Sequence, residues 1–291
     1  MYKAIFIDID GTLRTDDKIT TPRTRNAIEA CIASGVHIVL CTGRVRGYAL
    51  RVAEECGIAT GYIITSSGAE IYNLDTKQAI YSVRMSAEAC VKLARIAERN
   101  DIRYNFNANG VRYVDQLYRN DGFEILIDKD VKTLAKEHVI IQNLMRSSDF
   151  LTMKRIRPDI ENIKGVRVIN AAKSLNDPNR PPEEKVHYDI VSDKASKGIA
   201  IKKLCKILEV EANDTIGIGN EYTKPLKFKL SETIGIGDDF NDLEMFETVG
   251  LSVAVSNASD LIQGLTDIVI GDNNNDGVAE YLEELLLTHF A

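Results

Sequence analysis

The sequence predicts an α/β protein, a parallel sheet with helices on its faces and a second, α+β domain inserted in its middle. Three observations carry this. Short β-rich apolar runs alternate with amphipathic helical stretches, the pattern of a parallel sheet. That alternation changes character between about Ser82 and His187 and resumes from Lys197. Four of the six prolines lie between Pro158 and Pro182, so the interrupting stretch has its own punctuation.

Lys3–Ile9 (KAIFIDI) reads as the first strand and stops at Asp10-Gly11. Thr21–Ser34 places Ala27, Ile28, Cys31 and Ile32 on one helical face, and Pro22 suits a first turn, where its missing N–H is not needed. Val36–Cys41 is a second strand ending at Thr42-Gly43, Gly47–Cys56 a helix, and Tyr62–Thr65 a third strand. In the interrupting stretch, Ala87–Arg99 predicts a helix, and Arg103–Asn107 with Val111–Asp115 predicts a hairpin around Asn109-Gly110. Further helix–strand alternation leads to the polar, Pro-rich run Asn176–Glu184. Lys197–Leu208 returns as an amphipathic helix with Lys202, Lys203 and Lys206 on its polar side. The expected division is 1–82 and 190–291 for the sheet core and 83–189 for the insertion.

Composition narrows the functional classes. With 44% hydrophobic and 27% charged residues over 291 positions, the chain can bury a core and does not read as disordered. A net charge of −7 argues against nucleic-acid partners. No apolar run reaches bilayer-spanning length, so no membrane association is expected. The opening MYKAIFIDIDG lacks the features of a signal peptide. Cys31, Cys41, Cys56, Cys90 and Cys205 are scattered, odd in number and without a CxxC pair, which argues against disulfides or zinc and for a cytoplasmic location. Cys41 ends an apolar run and reads as a core residue, and His37 and His289 read as structural.

The chemistry-bearing residues sit where apolar runs end. Asp8 and Asp10 close the first strand, where α/β sheets bind ligands, and Gly11-Thr12 can fan the two carboxylates around one centre. Two turn-forming aspartates without a chemical role would look the same. Gly237-Asp-Asp-Phe-Asn-Asp242 supplies Asp238, Asp239, Asn241 and Asp242 within five positions, hard oxygen donors of the kind that suit magnesium. A capped helix start would also explain one of them. Thr42-Gly43-Arg44 lies between a strand and a helix and can hold an anion at the helix N-terminus. Lys197-Gly198 opens an amphipathic helix.

In this order, DIDGT at Asp8–Thr12, TGR at Thr42–Arg44, KG at Lys197-Gly198 and GDDFND at Gly237–Asp242 resemble the four motifs of the haloacid dehalogenase superfamily. The insertion between the second and third motifs resembles the class IIB cap. Val253–Ala258 and Asp276–Val278 resemble elements that follow the fourth motif in Cof-type phosphatases. The resemblance implies a Rossmann-like core and a Mg2+-dependent phosphatase acting on small phosphorylated metabolites, such as sugar, flavin or pyridoxal phosphates, with no obligate protein partner.

It further implies that Asp8 is the nucleophile, forming an aspartyl-phosphate, and Asp10 the acid–base residue. Thr42 and Lys197 would bind phosphoryl oxygens, with Gly11, Gly43 and Asn241 around the same group. Asp8, the carbonyl of Asp10 and Asp238 would hold the metal, with Asp242 supporting. An acid at Asp10 separates phosphatases and mutases from dehalogenases. A phosphotransferase resembling phosphomannomutase is the alternative, and a disabled metal- and phosphate-binding regulator requires that Asp238 be displaced.

Two features depart from the Cof-type pattern. Ser66-Ser67-Gly68-Ala69 carries serine where asparagine is usual, so contacts from that loop are expected to differ. Thr215–Gly219 (TIGIG) recurs at Thr233–Gly237, 18 residues on, and removing one period restores the usual spacing between Lys197 and Asp238. The second copy is expected to form the sheet strand, and Tyr222–Lys229 to influence substrate access.

Overall fold

The computed structural model describes residues 2–118, 121–171, 186–214 and 229–289. The first segment runs β1 (Ala4–Ile7), α1 (Pro22–Ala33), β2 (His37–Cys41), α2 (Arg46–Glu55), β3 (Tyr62–Thr65), β4 (Glu70–Asn73) and β5 (Gln78–Ser82). The middle supplies α3 (Ala87–Arg99), β6 (Arg103–Ala108), β7 (Val111–Val114), β8 (Glu124–Leu126), α4 (Val131–Glu137), β9 (Gln142–Ser147), α5 (Phe150–Glu161), β10 (Val166–Ala171) and β11 (Val186–Ser192). The last segment adds α6 (Lys197–Asp214), β12 (Thr233–Gly237), α7 (Leu243–Phe246), β13 (Leu251–Val255), α8 (Asp260–Gln263), β14 (Ile268–Ile270) and α9 (Gly277–His289).

Among the described residues these strands form two sheets. The first, ordered β14-β13-β12-β1-β2-β3-β4-β5, is parallel from β14 to β3 and carries β4 and β5 antiparallel at one edge. Its central strand β1 is buried at every position, as a strand covered on both faces must be. The two-residue period divides it: Ile5 and Ile7 pack with residues of α1, α2 and α9, and Ala4 and Phe6 with residues of α6, α7 and α8. β4 and β5, short and partly exposed, escaped the sequence reading because few apolar residues mark them.

The second sheet, ordered β10-β11-β9-β6-β7-β8, is antiparallel except for the β7–β8 pair. Tyr104, Phe106, Met145, Tyr188 and Ile190 on one face pack with α3, α4 and α5. The predicted hairpin turns at Asn109 and Gly110, whose φ of 54° and 84° match a primed turn that follows the strand twist. The boundary expected at 189/190 falls inside β11, which keeps pairing with β9 and β10 past that point because each strand satisfies the other's backbone groups.

The second TIGIG copy forms β12 between β1 and β13, as expected. Its first copy, positions 222–228 of the segment linked to substrate access, and the Pro-rich run lie outside the described residues. No described helix is long and apolar enough to cross a membrane.

Candidate active site

Parallel pairing gathers the acidic and hydroxyl residues at one edge of the first sheet. Ile7 is in register with Ile236 on one side and Leu40 on the other, so Asp8, Asp238 and Thr42 emerge from the carboxyl ends of three adjacent strands. The Asp8 N–H still donates to Ile236 O at 2.9 Å, which fixes where its side chain leaves the sheet. All three side chains are buried. The turn after Asp10 presses on Asp238: a Cβ at Gly11, where φ is +83°, would fall 2.6 Å from Asp238 Oδ2. Thr12 donates from its hydroxyl to Asp238 Oδ1 at 3.0 Å and holds that carboxylate in place.

Lys197 reaches the same point from the first turn of α6, which Ser196 caps by accepting from the Ile199 N–H. Gly198 lets α6 lie against α7, since a Cβ there would meet Glu244 O at 2.2 Å. The Lys197 ammonium is fully buried and donates to Asp8 Oδ1 at 2.5 Å and to Asp242 Oδ1 at 2.6 Å. Asp242 Oδ2 accepts from the N–H groups of Asp238 and Asp239 at 3.0 and 3.1 Å. Both Asp242 oxygens are therefore engaged, and this residue anchors the lysine and the GDDFND loop together.

Asp8, Asp238 and Asp242 offer oxygens within 4.8 Å of one another. One ammonium serves two of these three buried carboxylates, Asp8 and Asp242. Burial raises the Asp8 carboxyl well above its ordinary value, Asp242 and Asp238 push the same way, and Lys197 only partly opposes them. For Lys197, burial works against the charge, but Asp242 and Asp8 outweigh it and keep the ammonium protonated. A divalent cation suits this excess of hard anionic oxygen. The insertion near the repeat does not displace Asp238 from the cluster.

Asp10 lies beside this cluster and faces the cavity. Burial would raise its carboxyl, but the Arg44 fork, at 2.7 and 2.9 Å, and Lys18, at 3.1 Å, overcome that and hold it at about 2. Arg44 also lies over the Tyr48 ring at 5.1 Å. Arg44 belongs to the Thr42-Gly43-Arg44 motif, but only the structure pairs its side chain with Asp10. Thr42 Oγ1 accepts from the Arg44 N–H at 3.1 Å, and Gly43 and Asn241 line the same cavity. Cys41 is buried in the core, and burial pushes its thiol upward, which suits a packing role.

The opposite wall is the polar face of the second sheet. Ser67, the departure noted in sequence, donates to Asp189 Oδ2 at 3.0 Å and accepts from Gln142 at 3.4 Å. Gln142 also donates to Gly43 O at 3.3 Å, and Asn107 donates to Ser66 Oγ at 3.4 Å. Ser66 and Ser67 thus lie on the seam between the two sheets, and both adopt left-handed φ, 49° and 56°. Between the walls lies a cavity of about 330 Å³, the size of a small-metabolite site. Asn105, Arg103, Arg146 and Asp189 face it and were not singled out from the sequence. Their signal was present: β6 alternates polar Arg103, Asn105 and Asn107 with apolar Tyr104, Phe106 and Ala108.

A family model described as haloacid dehalogenase-like hydrolase matches residues 5–223 and 220–282. Phosphatase YwpJ of Bacillus subtilis is 25% identical, over 98% of this chain and 100% of its own length. The 5-amino-6-(5-phospho-D-ribitylamino)uracil phosphatase YwtE of the same organism is 23% identical, over 99% and 100%. Among solved structures, the HAD subclass IIB sugar phosphatase BT4131 matches in fold with a TM-score of 0.73 and 20% identity, over 97% of this chain and 98% of that one.

Proposed function

The chain belongs to the haloacid dehalogenase-like hydrolases and is a phosphatase, and from that premise we propose that it hydrolyses small phosphorylated metabolites, sugar phosphates or similar, through an aspartyl-phosphate on Asp8. One observation carries the reading. A buried carboxylate at a strand's carboxyl end touches a buried lysine at 2.5 Å, with two further carboxylates within 4.8 Å.

An Asp8 oxygen attacks phosphorus and the ester P–O bond breaks, leaving phosphate on Asp8. Asp10 gives the leaving oxygen its proton, then takes one from the water that hydrolyses the phosphoenzyme and frees phosphate. The Arg44 fork favours the ionised Asp10 that the second step needs. For the first step that pair must open so the carboxyl can carry a proton. Lys197, Thr42, and the backbone at Gly11 and Gly43 hold phosphoryl oxygens, and Asn241 orients the group; Lys197 also keeps an anionic nucleophile and an anionic substrate from repelling. Asp8, the Asp10 carbonyl and Asp238 would hold Mg2+, with Asp242 in support. When bound, the ion neutralises charge on the transferring group.

On the same reading, 1–82 and 190–291 carry the chemistry and 83–189 acts as a cap that selects substrates, a division supported by the polar sheet face over the site. A small metabolite, rather than nucleic acid or membrane, fits a cavity of about 330 Å³. Five buried cysteines, none of them in a disulfide, support a cytoplasmic setting. Phosphate release from a panel of phosphomonoesters, with Mg2+ or EDTA, tests the proposal. Release that persists in Asp8→Asn refutes the role given to Asp8, and release unaffected by EDTA refutes the metal.

A further inference from the structure

Resting on that reading, we infer that Asn105, Arg103 and Arg146 form a leaving-group subsite for a phosphomonoester whose skeleton carries a hydroxyl group and, at its far end, a second anion. Strand register orders the polar face of the second sheet into rows. Asn105, Leu144 and Asp189 are paired across β6, β9 and β11, and Arg103, Arg146 and His187 form the next row. The Asn105 row is the inner one, because Asp189 meets Ser67 at 3.0 Å and its carboxylate lies 3.0 Å from where a Gly43 Cβ would stand. Two residues along a strand advance roughly 7 Å, so the arginine row sits one such step farther from the phosphoryl site. A sugar-sized skeleton spans that step.

Each row offers a different chemistry. Asn105 is 1% exposed and lines the cavity, yet neither its amide nitrogen nor its amide oxygen has a hydrogen-bond partner among the described residues. A buried amide in that state is costly, and only water or a ligand in the cavity can satisfy it. A hydroxyl group, both donor and acceptor, matches it.

In the outer row the two guanidinium groups flank one ring: Arg146 lies over Tyr118 at 3.5 Å and Arg103 at 5.1 Å. Arg103 donates to Gln116 O at 2.8 Å, while its nearest carboxylate, Asp115, stands 3.8 Å from Nε, which makes no hydrogen bond. No ion pair to Arg146 is found among the described residues, and burial first, then Arg103, disfavour its charge, against a smaller opposing pull from Tyr118, Glu124 and Asp115. Two neighbouring cations face a substrate-sized cavity, Asp115 standing 3.8 Å from one of them and Glu124 already engaged by Arg112 and the Tyr118 N–H, and they can receive an anion. The inner row offers an anion no cation, only the buried Asp189 carboxyl already bonded to Ser67, so the second anion belongs in the outer row.

Carboxylate and phosphate share this chemistry, and two arms separate them. Turnover of 6-phosphogluconate and of fructose 1,6-bisphosphate is compared with that of glucose 6-phosphate, whose far end is neutral. The wild type should favour one or both anion-tailed compounds in kcat/KM. Arg146→Gln should lower that preference roughly ten- to hundredfold, the weight of a charge-assisted contact, mainly through KM. Arg146→Lys should restore part of it. No wild-type preference for either anion-tailed compound, or a preference unchanged in Arg146→Gln, overturns the inference. Hydrolysis of p-nitrophenyl phosphate separately tests the phosphatase reading. If turnover is nil, calorimetric binding of the same three compounds to Asp8→Asn in Mg2+ reads the same preference, and equal affinities overturn it.

Discussion

Replacing Lys197 by methionine keeps the length of the side chain and removes the ammonium that serves two buried carboxylates. Its nitrogen lies 2.5 Å from Asp8 and 2.6 Å from Asp242, and neither Lys197 nor Asp242 has exposed side-chain surface. Breaking one side of a buried ion pair costs about 3–5 kcal/mol, because the partner is left charged and unsolvated. That is a large share of a typical total stability of about 5–15 kcal/mol, and corresponds to a fall in Tm of roughly 6–20 °C.

The loss should depend on pH with a definite sign. Asp8 is raised by burial and by Asp242 and Asp238, and Lys197 is the group that lowers it. Without Lys197 the Asp8 carboxyl rises further. A carboxyl whose folded value exceeds its unfolded one contributes stability below the unfolded value of about 4, and that contribution is lost as pH rises. The deficit of Lys197→Met should therefore shrink on going from pH 7.5 to pH 5. Urea denaturation followed by circular dichroism in EDTA measures both. A deficit under about 1 kcal/mol, or one equal at the two pH values, refutes the claim that this lysine compensates buried charge.

Other substitutions test neighbouring parts of the argument. Arg44→Gln should cost roughly 2 kcal/mol above pH 4, since Asp10 falls from 3.8 to about 2 only through its cationic partners. That contribution is present above the unfolded value and is lost as pH falls through 2, so acid unfolding should begin at higher pH in the variant. Magnesium at a hundred times its Kd should stabilise the wild type by about 2.7 kcal/mol, and Asp238→Asn should abolish most of that gain in a thermal-shift titration. Gly198→Ala forces a Cβ toward Glu244 O at 2.2 Å and should destabilise by about 1–3 kcal/mol, read by urea denaturation. Ser67→Ala removes the bonds to Asp189 and Gln142 and should cost about 1–2 kcal/mol. Ser67→Gly should cost less, because a residue at φ 56° is relieved of strain.

Most of the core was legible because its signals are local. The expected bounds of β3 and α3 match those in the structure, since periodicity and flanking turns are properties of neighbouring residues. The second TIGIG copy could be assigned to the sheet because the acidic cluster follows it alone. The β4–β5 edge and the far end of β11 were not legible. Their extent depends on which strand accepts their backbone hydrogen bonds, and that partner is remote in sequence.

For the site the division is similar. The sequence by itself determined the α/β core, the residue types and the order of the four motifs, and through them the family and the phosphatase chemistry. Tertiary structure alone decided who touches whom. Lys197 meets Asp8 across 189 positions, Arg44 closes on Asp10 across 34, and Ser67 meets Asp189 across 122. It also decided that the polar faces of β6, β9 and β11 form a wall of the cavity rather than a solvated surface. Periodicity reveals that a strand has a polar face. Only the packing of two sheets says what that face looks upon, and hence whether its arginines meet water or substrate.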